Sequence, residues 1–164
     1  MNYFQPKLFW KNDNELWIKS LDEYGFVVIQ DILSQDEKKE SLDLFKKDMS
    51  IVSSKFNTED PSSLTIENTP TMFNKGMAVF NGFSQSDFMW NIRLNPTINN
   101  IFSIIHKTDD LCVSLDAFSL FVSSLQQSKP WLHIDQNEKN PINSIQGAYN
   151  HFPVTEKDSG FICI

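Results

Sequence analysis

The spacing of apolar residues changes once along this chain, and that change limits the folds open to it. In three segments before about residue 110, apolar side chains recur every three to four positions, as in helices that bury one face. From Leu111 onward they alternate with polar side chains, as in strands with one buried face. Helices followed by a run of short strands predict an α+β fold.

Three helices are predicted in the first 110 residues from their terminal residues. These are Asp13 and Gly25 for the first, Ser34 and Glu37 for the second, and Asn95 and Pro96 for the third. The unbroken apolar run at residues 26–29 predicts a strand between the first two helices. Residues 53–75 are polar and aperiodic, which predicts a long loop, either a lid over a site or a disordered segment.

Short strands are predicted in the last third of the chain, separated by turn-forming residues. They cover residues 111–122, with a bulge near Asp116, then 131–135, 144–152 and 161–164. We therefore expect a single domain over residues 1–164. Its residues 1–110 form a mainly helical lead-in with one strand, and residues 111–164 form the first strands of a sandwich or barrel.

Composition excludes several classes of function. The chain has 14 basic and 21 acidic residues among 164, so it is poorly suited to hold a phosphate backbone by charge. It has no apolar run long enough to span a membrane and no secretory signal. Cys112 and Cys163 are expected to be small buried thiols in a reducing compartment. These features predict a cytoplasmic protein without nucleic-acid or membrane partners.

The residues most suggestive of chemistry are His133 and Asp135. Two positions apart on a strand, they present an imidazole and a carboxylate to one side, with Ile134 on the other. These are two of the three ligands of a two-histidine, one-carboxylate iron(II) site. The spacing alone is weak, since a chain of this composition contains a chance His-x-Asp about one time in four. A surface salt bridge or an ordinary hydrogen bond is the alternative.

The surrounding sequence resembles the phytanoyl-CoA dioxygenase-like family. Residues 129–136, KPWLHIDQ, are similar to the metal-binding segment of that family. Further similar segments follow the family order along the chain: residues 24–29 and 32–37 for the opening strand and helix, 90–96 and 109–116 for the lead-in to the barrel, and 144–150 and 158–164 for the next hairpin. The resemblance covers nearly the whole chain.

The resemblance implies helices packed on a double-stranded β-helix, which is a jelly roll or cupin-like barrel. It also implies iron(II) and 2-oxoglutarate, which together with oxygen hydroxylate an unactivated C–H bond of a small organic substrate. His133 and Asp135 would be metal ligands. Four residues would border the cosubstrate or substrate pocket: Gln136, Trp131, Gln146 and Asn150. For Gln136 and Trp131, a structural role as a loop amide and a buried indole is an equally good explanation.

Two elements of the family pattern have no counterpart before Ile164. Family members carry a second histidine ligand and an arginine that binds 2-oxoglutarate, both C-terminal to the matched segment, and about half of the barrel strands lie there too. His106, His151 and Arg93 do not match those positions. The preferred interpretations are structural: a surface or core histidine for the first two, and an ion pair or helix contact for Arg93. The barrel is therefore expected to be incomplete, and whether the chain is itself an enzyme stays open.

Two functional hypotheses follow from the incomplete match. The first is the N-terminal portion of an iron(II)/2-oxoglutarate dioxygenase that is inactive alone and is completed by a C-terminal half from an adjacent or interrupted gene. The second is a non-catalytic remnant, or a fragment that binds a partner. A hydrolase or redox protein is disfavoured, because the sequence has no Gly-x-Ser-x-Gly, Cys-x-x-Cys or phosphate-binding glycine loop.

Overall fold

The described part of the chain forms two compact units. The computed structural model describes residues 6–73, 76–122, 135, 137, 139, 144–152 and 154. The first unit contains the described residues of 1–48 and 84–116, and the second contains those of 49–83 and 117–164. The described residues mix four α-helices with four short strands, so the predicted α+β class is confirmed at that level. A single domain over residues 1–164 stays a prediction.

The first unit combines a two-stranded sheet with helices. Its elements are β1 (Leu8–Trp10), α1 (Asn14–Tyr24), β2 (Val28–Gln30), α2 (Gln35–Val52, counted with the second unit from Met49 on), α3 (Asp87–Arg93) and α4 (Pro96–His106). Strands β1 and β2 pair in parallel, with Leu8 opposite Val28 and Trp10 opposite Gln30.

One face of this sheet forms the core of the first unit. Phe9, on β1, is buried against Trp17 of α1 and Ile101 of α4, and Ile29 of β2 packs on the same cluster. Trp17 is fully buried, and its indole Nε1–H donates a hydrogen bond to the carbonyl of Lys11 at 3.4 Å. The polar edge of the indole is thus satisfied while the ring fills the core.

The predicted termini of α1 and α2 are confirmed, with one difference. Gly25 follows α1 in the left-handed region, at φ 75°, and its N–H donates to the carbonyl of Leu21. Ser34 and Glu37 form the predicted capping box, in which the Ser34 N–H and hydroxyl both donate to Glu37 Oε2 at 2.7 and 2.6 Å. Asp13 precedes α1 as predicted, but its side chain makes no capping bond.

Helix α4 begins where the sequence predicts, and its capping residue also contacts a second helix. The Asn95 side-chain oxygen accepts from the N–H groups of Thr97 and Ile98, at 2.9 and 3.3 Å. Its amide Nδ2 donates to Glu37 Oε1 at 2.8 Å. Because Glu37 belongs to the capping box of α2, this buried asparagine links the N-termini of α2 and α4.

Helix α3 was not predicted from the sequence. It has seven residues, and Ser86 caps it by accepting from the N–H of Met89. The buried Asp48 carboxylate of α2 accepts from the N–H of Phe88 at 2.8 Å, and the rings of Phe45 and Phe88 meet edge to face at 5.3 Å. Besides this local cap, α3 is therefore stabilised by contacts with α2, about forty positions away in sequence.

The second unit contains a small antiparallel sheet. Strands β3 (Met77–Ala78) and β4 (Phe118–Ser119) pair with Ala78 opposite Phe118. The buried Phe83 ring meets the Phe118 ring edge to face at 5.0 Å. Gly76 lies directly under the Phe121 ring, since a Cβ added there would be 2.8 Å from the ring atom Cε1.

Residues 53–73 form a hydrogen-bonded loop. Among the described residues, 3₁₀ helices occur at Pro61–Ser63, Ile66–Asn68 and Phe83–Gln85, and the first two lie in this loop. Ser63 connects its parts, because its hydroxyl donates to the carbonyl of Asn57 at 2.7 Å and its own carbonyl accepts from the Asn68 amide at 2.9 Å. The prediction of a loop is confirmed for these residues.

The predicted strands are the least accurate part of the sequence-based fold. Residues 111–117 form no strand, since none of the described residues pairs with them in a β ladder, and Val113 and Leu115 are exposed. Cys112, predicted to be a buried thiol, is exposed as well, so that prediction is wrong for Cys112. Residues 144–152 are also irregular, and the strand expected at residues 26–29 begins at Val28. The strands predicted at residues 131–134 and 161–164 lie outside the described residues. Strand β1 was not predicted, since three residues are too few to show a period.

Candidate functional site

Asp135 and Gln146 are the two predicted site residues that the structure brings together. The Gln146 amide Nε2 donates to Asp135 Oδ2 at 2.6 Å, and both residues are exposed. The bond joins positions eleven residues apart in irregular segments. It fixes the orientation of one carboxylate oxygen relative to the 144–152 segment.

The other predicted site residues are placed as follows. Asn150 is described and exposed, four positions after Gln146. His133, Trp131 and Gln136 lie outside the described residues, so their roles stay predictions. Among the residues that the structure describes, no three His, Cys, Asp or Glu side chains lie close enough together to hold a metal ion.

The histidines outside the His133–Asp135 segment have aromatic neighbours. The His106 ring stacks on Phe102 at 6.3 Å, on the exposed end of α4. His151 is half-buried and meets the rings of Tyr149 and Phe152 edge to face, at 5.9 and 5.1 Å. These contacts fit the structural interpretation of both histidines.

Arg93 contacts the protein backbone. Its guanidinium donates to the carbonyls of Ser84 and Asp116, and it lies over the Trp90 ring at 5.5 Å. Two carbonyls and an aromatic face use the donors and the planar surface of an arginine side chain. This environment fits the structural interpretation of Arg93, a helix contact, rather than a carboxylate anchor.

An open groove of about 480 Å³ lies on the first unit, beside α2 and α3. Its lining includes the acidic residues Glu37, Glu40 and Asp87 together with Trp90. Hydrogen bonds from the Ser34 hydroxyl and N–H and from Asn95 lower the pKa of Glu37, so this carboxylate stays ionised at neutral pH. Asp87 forms an ion pair with Lys47 at 2.7 Å, which raises the pKa of that lysine. The groove is solvent-open and acidic, and it contains none of the predicted site residues.

Two features that bear on function were not predicted from the sequence. One is the hydrogen bond between Gln146 and Asp135, because a contact between irregular segments leaves no periodic signal. The other is the apolar outer side of the β1–β2 sheet. In the sequence, only the unbroken apolar run Leu8-Phe9-Trp10 indicates it. In the structure, the middle residue of this run is buried and the two outer ones are exposed.

Within the described ranges, no helix has both the length and the apolar composition needed to cross a bilayer. No protein-family model matches the chain. No solved structure matches it either.

A curated protein from Aspergillus versicolor is distantly similar to this chain. It is named Ava biosynthesis cluster protein O and is 24% identical over 149 residues, which cover 89% of this chain. The chain spans about half the length of this relative, since the match covers 48% of it. At this identity the similarity assigns no family.

Proposed function

We propose that this chain is the N-terminal portion of an iron(II)/2-oxoglutarate-dependent dioxygenase, a hydroxylase of a small organic substrate, and that it is not active alone. The observation that carries this proposal is the His133-Ile134-Asp135 segment within a family resemblance that runs in order along nearly the whole chain. The distant relative, about twice as long, supports the idea of a portion of a longer protein.

The two donor groups that this chain would supply are suited to iron(II). An imidazole and a carboxylate are two of the three protein ligands of a facial iron(II) site. Asp135 is exposed, and its carboxylate is oriented by Gln146 at 2.6 Å. A hydrogen bond of this kind fixes the direction in which a ligand carboxylate presents its other oxygen. The third ligand and the anchor for 2-oxoglutarate would come from the remainder of the longer protein.

Under this proposal, the candidate site residues have separate roles. Bound iron and 2-oxoglutarate would supply the oxidising chemistry of the family. His133 and Asp135 would hold the metal on one side, Gln146 would orient Asp135, and Asn150 would border the pocket on the same segment. The jelly-roll barrel belongs to this proposal as well, with the described helices packed outside it.

A partner-binding fragment without catalysis is the second candidate. The observation that favours it is the exposed apolar surface of the chain, which includes Trp10 at 55% exposure. Large exposed apolar patches mark interaction sites more often than free surface. The two candidates differ in whether the His133–Asp135 pair binds a metal ion.

Metal titration of the purified chain tests the proposal. We expect Mn²⁺, a redox-stable substitute for iron(II), to bind weakly at one site by calorimetry. Asp135→Asn and His133→Gln should each weaken binding at least tenfold, whereas Asp109→Asn, an exposed aspartate outside the segment, should not. Gln146→Leu should weaken binding about 10-fold, because loss of a residue that orients a metal ligand costs 10- to 100-fold in affinity. The chain alone should not consume 2-oxoglutarate.

Two results would oppose the proposal. Absence of Mn²⁺ binding, or binding unchanged in Asp135→Asn, would remove the metal-site interpretation and favour the partner-binding fragment. Turnover of 2-oxoglutarate by the chain alone would contradict the statement that the remainder of a longer protein is required.

A further inference from the structure

The β1–β2 sheet has one buried side and one exposed apolar side. In its parallel register, residues opposite each other point to the same side, and neighbours along a strand point to opposite sides. Phe9, at 5% exposure, faces the core of the first unit. Leu8, Trp10, Val28 and Gln30 share the other side, which we call the outer face. Its three apolar side chains are 54%, 55% and 37% exposed, for Leu8, Trp10 and Val28 respectively.

An uncovered outer face is unusual for a sheet of this type. Parallel sheets occur almost only where both faces are covered, and a two-stranded sheet is at most marginally stable by itself. Here α1 and α4 contribute Trp17 and Ile101 to the cluster on the inner side. Three of the four side chains on the outer face are apolar, an indole and two aliphatic groups, and the fourth is the half-buried Gln30 opposite Trp10.

We propose that the apolar part of the outer face, formed by Leu8, Trp10 and Val28, is the docking surface for the polypeptide that supplies the other half of the fold. The Aspergillus versicolor relative contains about as much chain outside the match as within it. A polypeptide of that length can cover the outer face with an apolar layer, and so complete the arrangement that parallel strands require. The proposal rests on the half-fold part of the proposed function and is independent of its iron chemistry.

A second copy of this chain is a poorer occupant. Stable interfaces between separate copies bury about 800 Å² on each partner. Three side chains on strands of three residues provide much less area than this. A polypeptide that completes the fold covers the outer face as one part of a larger contact.

Co-expression tests the docking. The probe is the half of the Aspergillus versicolor protein that lies outside the match, expressed without a tag alongside this chain carrying an affinity tag. We expect a 1:1 complex by size-exclusion chromatography with light scattering. Trp10→Lys and Leu8→Lys should each weaken the complex at least tenfold. Leu94→Lys is the matched control, since Leu94 is 65% exposed and lies outside the sheet. Far-UV circular dichroism should show unchanged helix content in every variant.

Three results would overturn the proposal. They are the absence of a complex, a complex that is insensitive to Trp10→Lys, and a homodimer of this chain alone that Trp10→Lys dissociates. The last result would assign the outer face to a second copy. A complex that forms while the chain fails to bind Mn²⁺ would support the docking surface and remove the iron chemistry. Mn²⁺ binding without a complex would support the metal site and remove the docking surface.

Discussion

Replacing Asn95 by alanine removes the residue that links the N-termini of α2 and α4. The side chain is 7% exposed, and its oxygen accepts from the N–H groups of Thr97 and Ile98. Loss of an N-cap of this type costs about 1 kcal/mol. Loss of the bond to Glu37 adds to this cost, although water can replace Asn95 at that carboxylate. For a chain of this size, 1 kcal/mol lowers the melting temperature by about 2–4 °C.

The substitution is measured by urea and thermal unfolding with far-UV circular dichroism as the probe. The matched control is Asn100→Ala on the exposed side of the same helix, which should change stability by less than about 0.5 kcal/mol. Asn95→Asp refines the test, because it keeps the capping oxygen, loses the amide donor and places a second carboxylate against Glu37. It should be less stable than the wild type at neutral pH, and the difference should shrink as the pH falls and the carboxylates become protonated.

Equal stabilities of Asn95→Ala and Asn100→Ala would refute the reasoning. That result would mean that α4 begins equally well without its cap and that the Asn95–Glu37 bond contributes nothing. A pH-independent Asn95→Asp defect would refute only the contact with Glu37, because the cap would still account for the effect of alanine.

Three further predictions concern the described structure. The pKa of Glu37 is lowered from its usual 4.5. The ionised carboxylate therefore stabilises the fold fully above that pH, and this stabilisation is lost as the pH falls through the lowered pKa. The urea midpoint of Glu37→Gln should fall less steeply in acid than that of the wild type, and parallel curves would contradict this. Gly25→Ala should cost about 1 kcal/mol in thermal unfolding because φ is 75°, with Gly25→Asn less affected. Gly76→Ala should destabilise the chain through the Phe121 ring, and Phe121→Leu should reduce that penalty; an unchanged penalty would contradict the contact.

The helices could be predicted where their signals are local. Ser34 and Glu37 satisfy each other within one turn, and Asn95 precedes a proline that fixes the first helical residue, so both starts are visible in a few letters of sequence. Helix α3 has a local cap at Ser86, but it is only seven residues long and depends on Asp48, a residue of another helix. A short helix stabilised by distant contacts has too little periodicity to be recognised.

Strands could not be predicted as reliably, because a strand exists only where another strand pairs with it. Leu111, Val113 and Leu115 alternate as a half-buried strand does, yet the described residues offer this segment no partner. Conversely, β1 is a strand because Val28–Gln30 lies beside it, in a register that three residues of sequence do not specify. Alternation therefore indicates which residues can pair, while pairing itself depends on the rest of the fold.

The candidate site shows the same division between local and distant information. His133 and Asp135 could be selected from spacing and family resemblance. The resemblance alone selected Gln146, and no local pattern predicts its bond to Asp135, because the two side chains meet across eleven positions of irregular chain. The described residues therefore add an orienting contact to one predicted ligand, while the pairing of His133 with Asp135 stays a prediction.

The proposed docking surface and the proposed metal site place separate demands on the polypeptide that would complete the fold. The outer face requires an apolar layer, since Leu8 and Trp10 are more than half exposed on a sheet type that is normally covered on both sides. The proposed metal site would require an imidazole and an anchor for a carboxylate, which are polar groups at defined positions. A polypeptide can supply the apolar layer and yet lack the imidazole and the carboxylate anchor. A complex that forms without binding a metal ion would therefore indicate a fold that keeps its packing but has lost its metal site. A complex that also binds the metal ion would indicate an enzyme divided between two polypeptides.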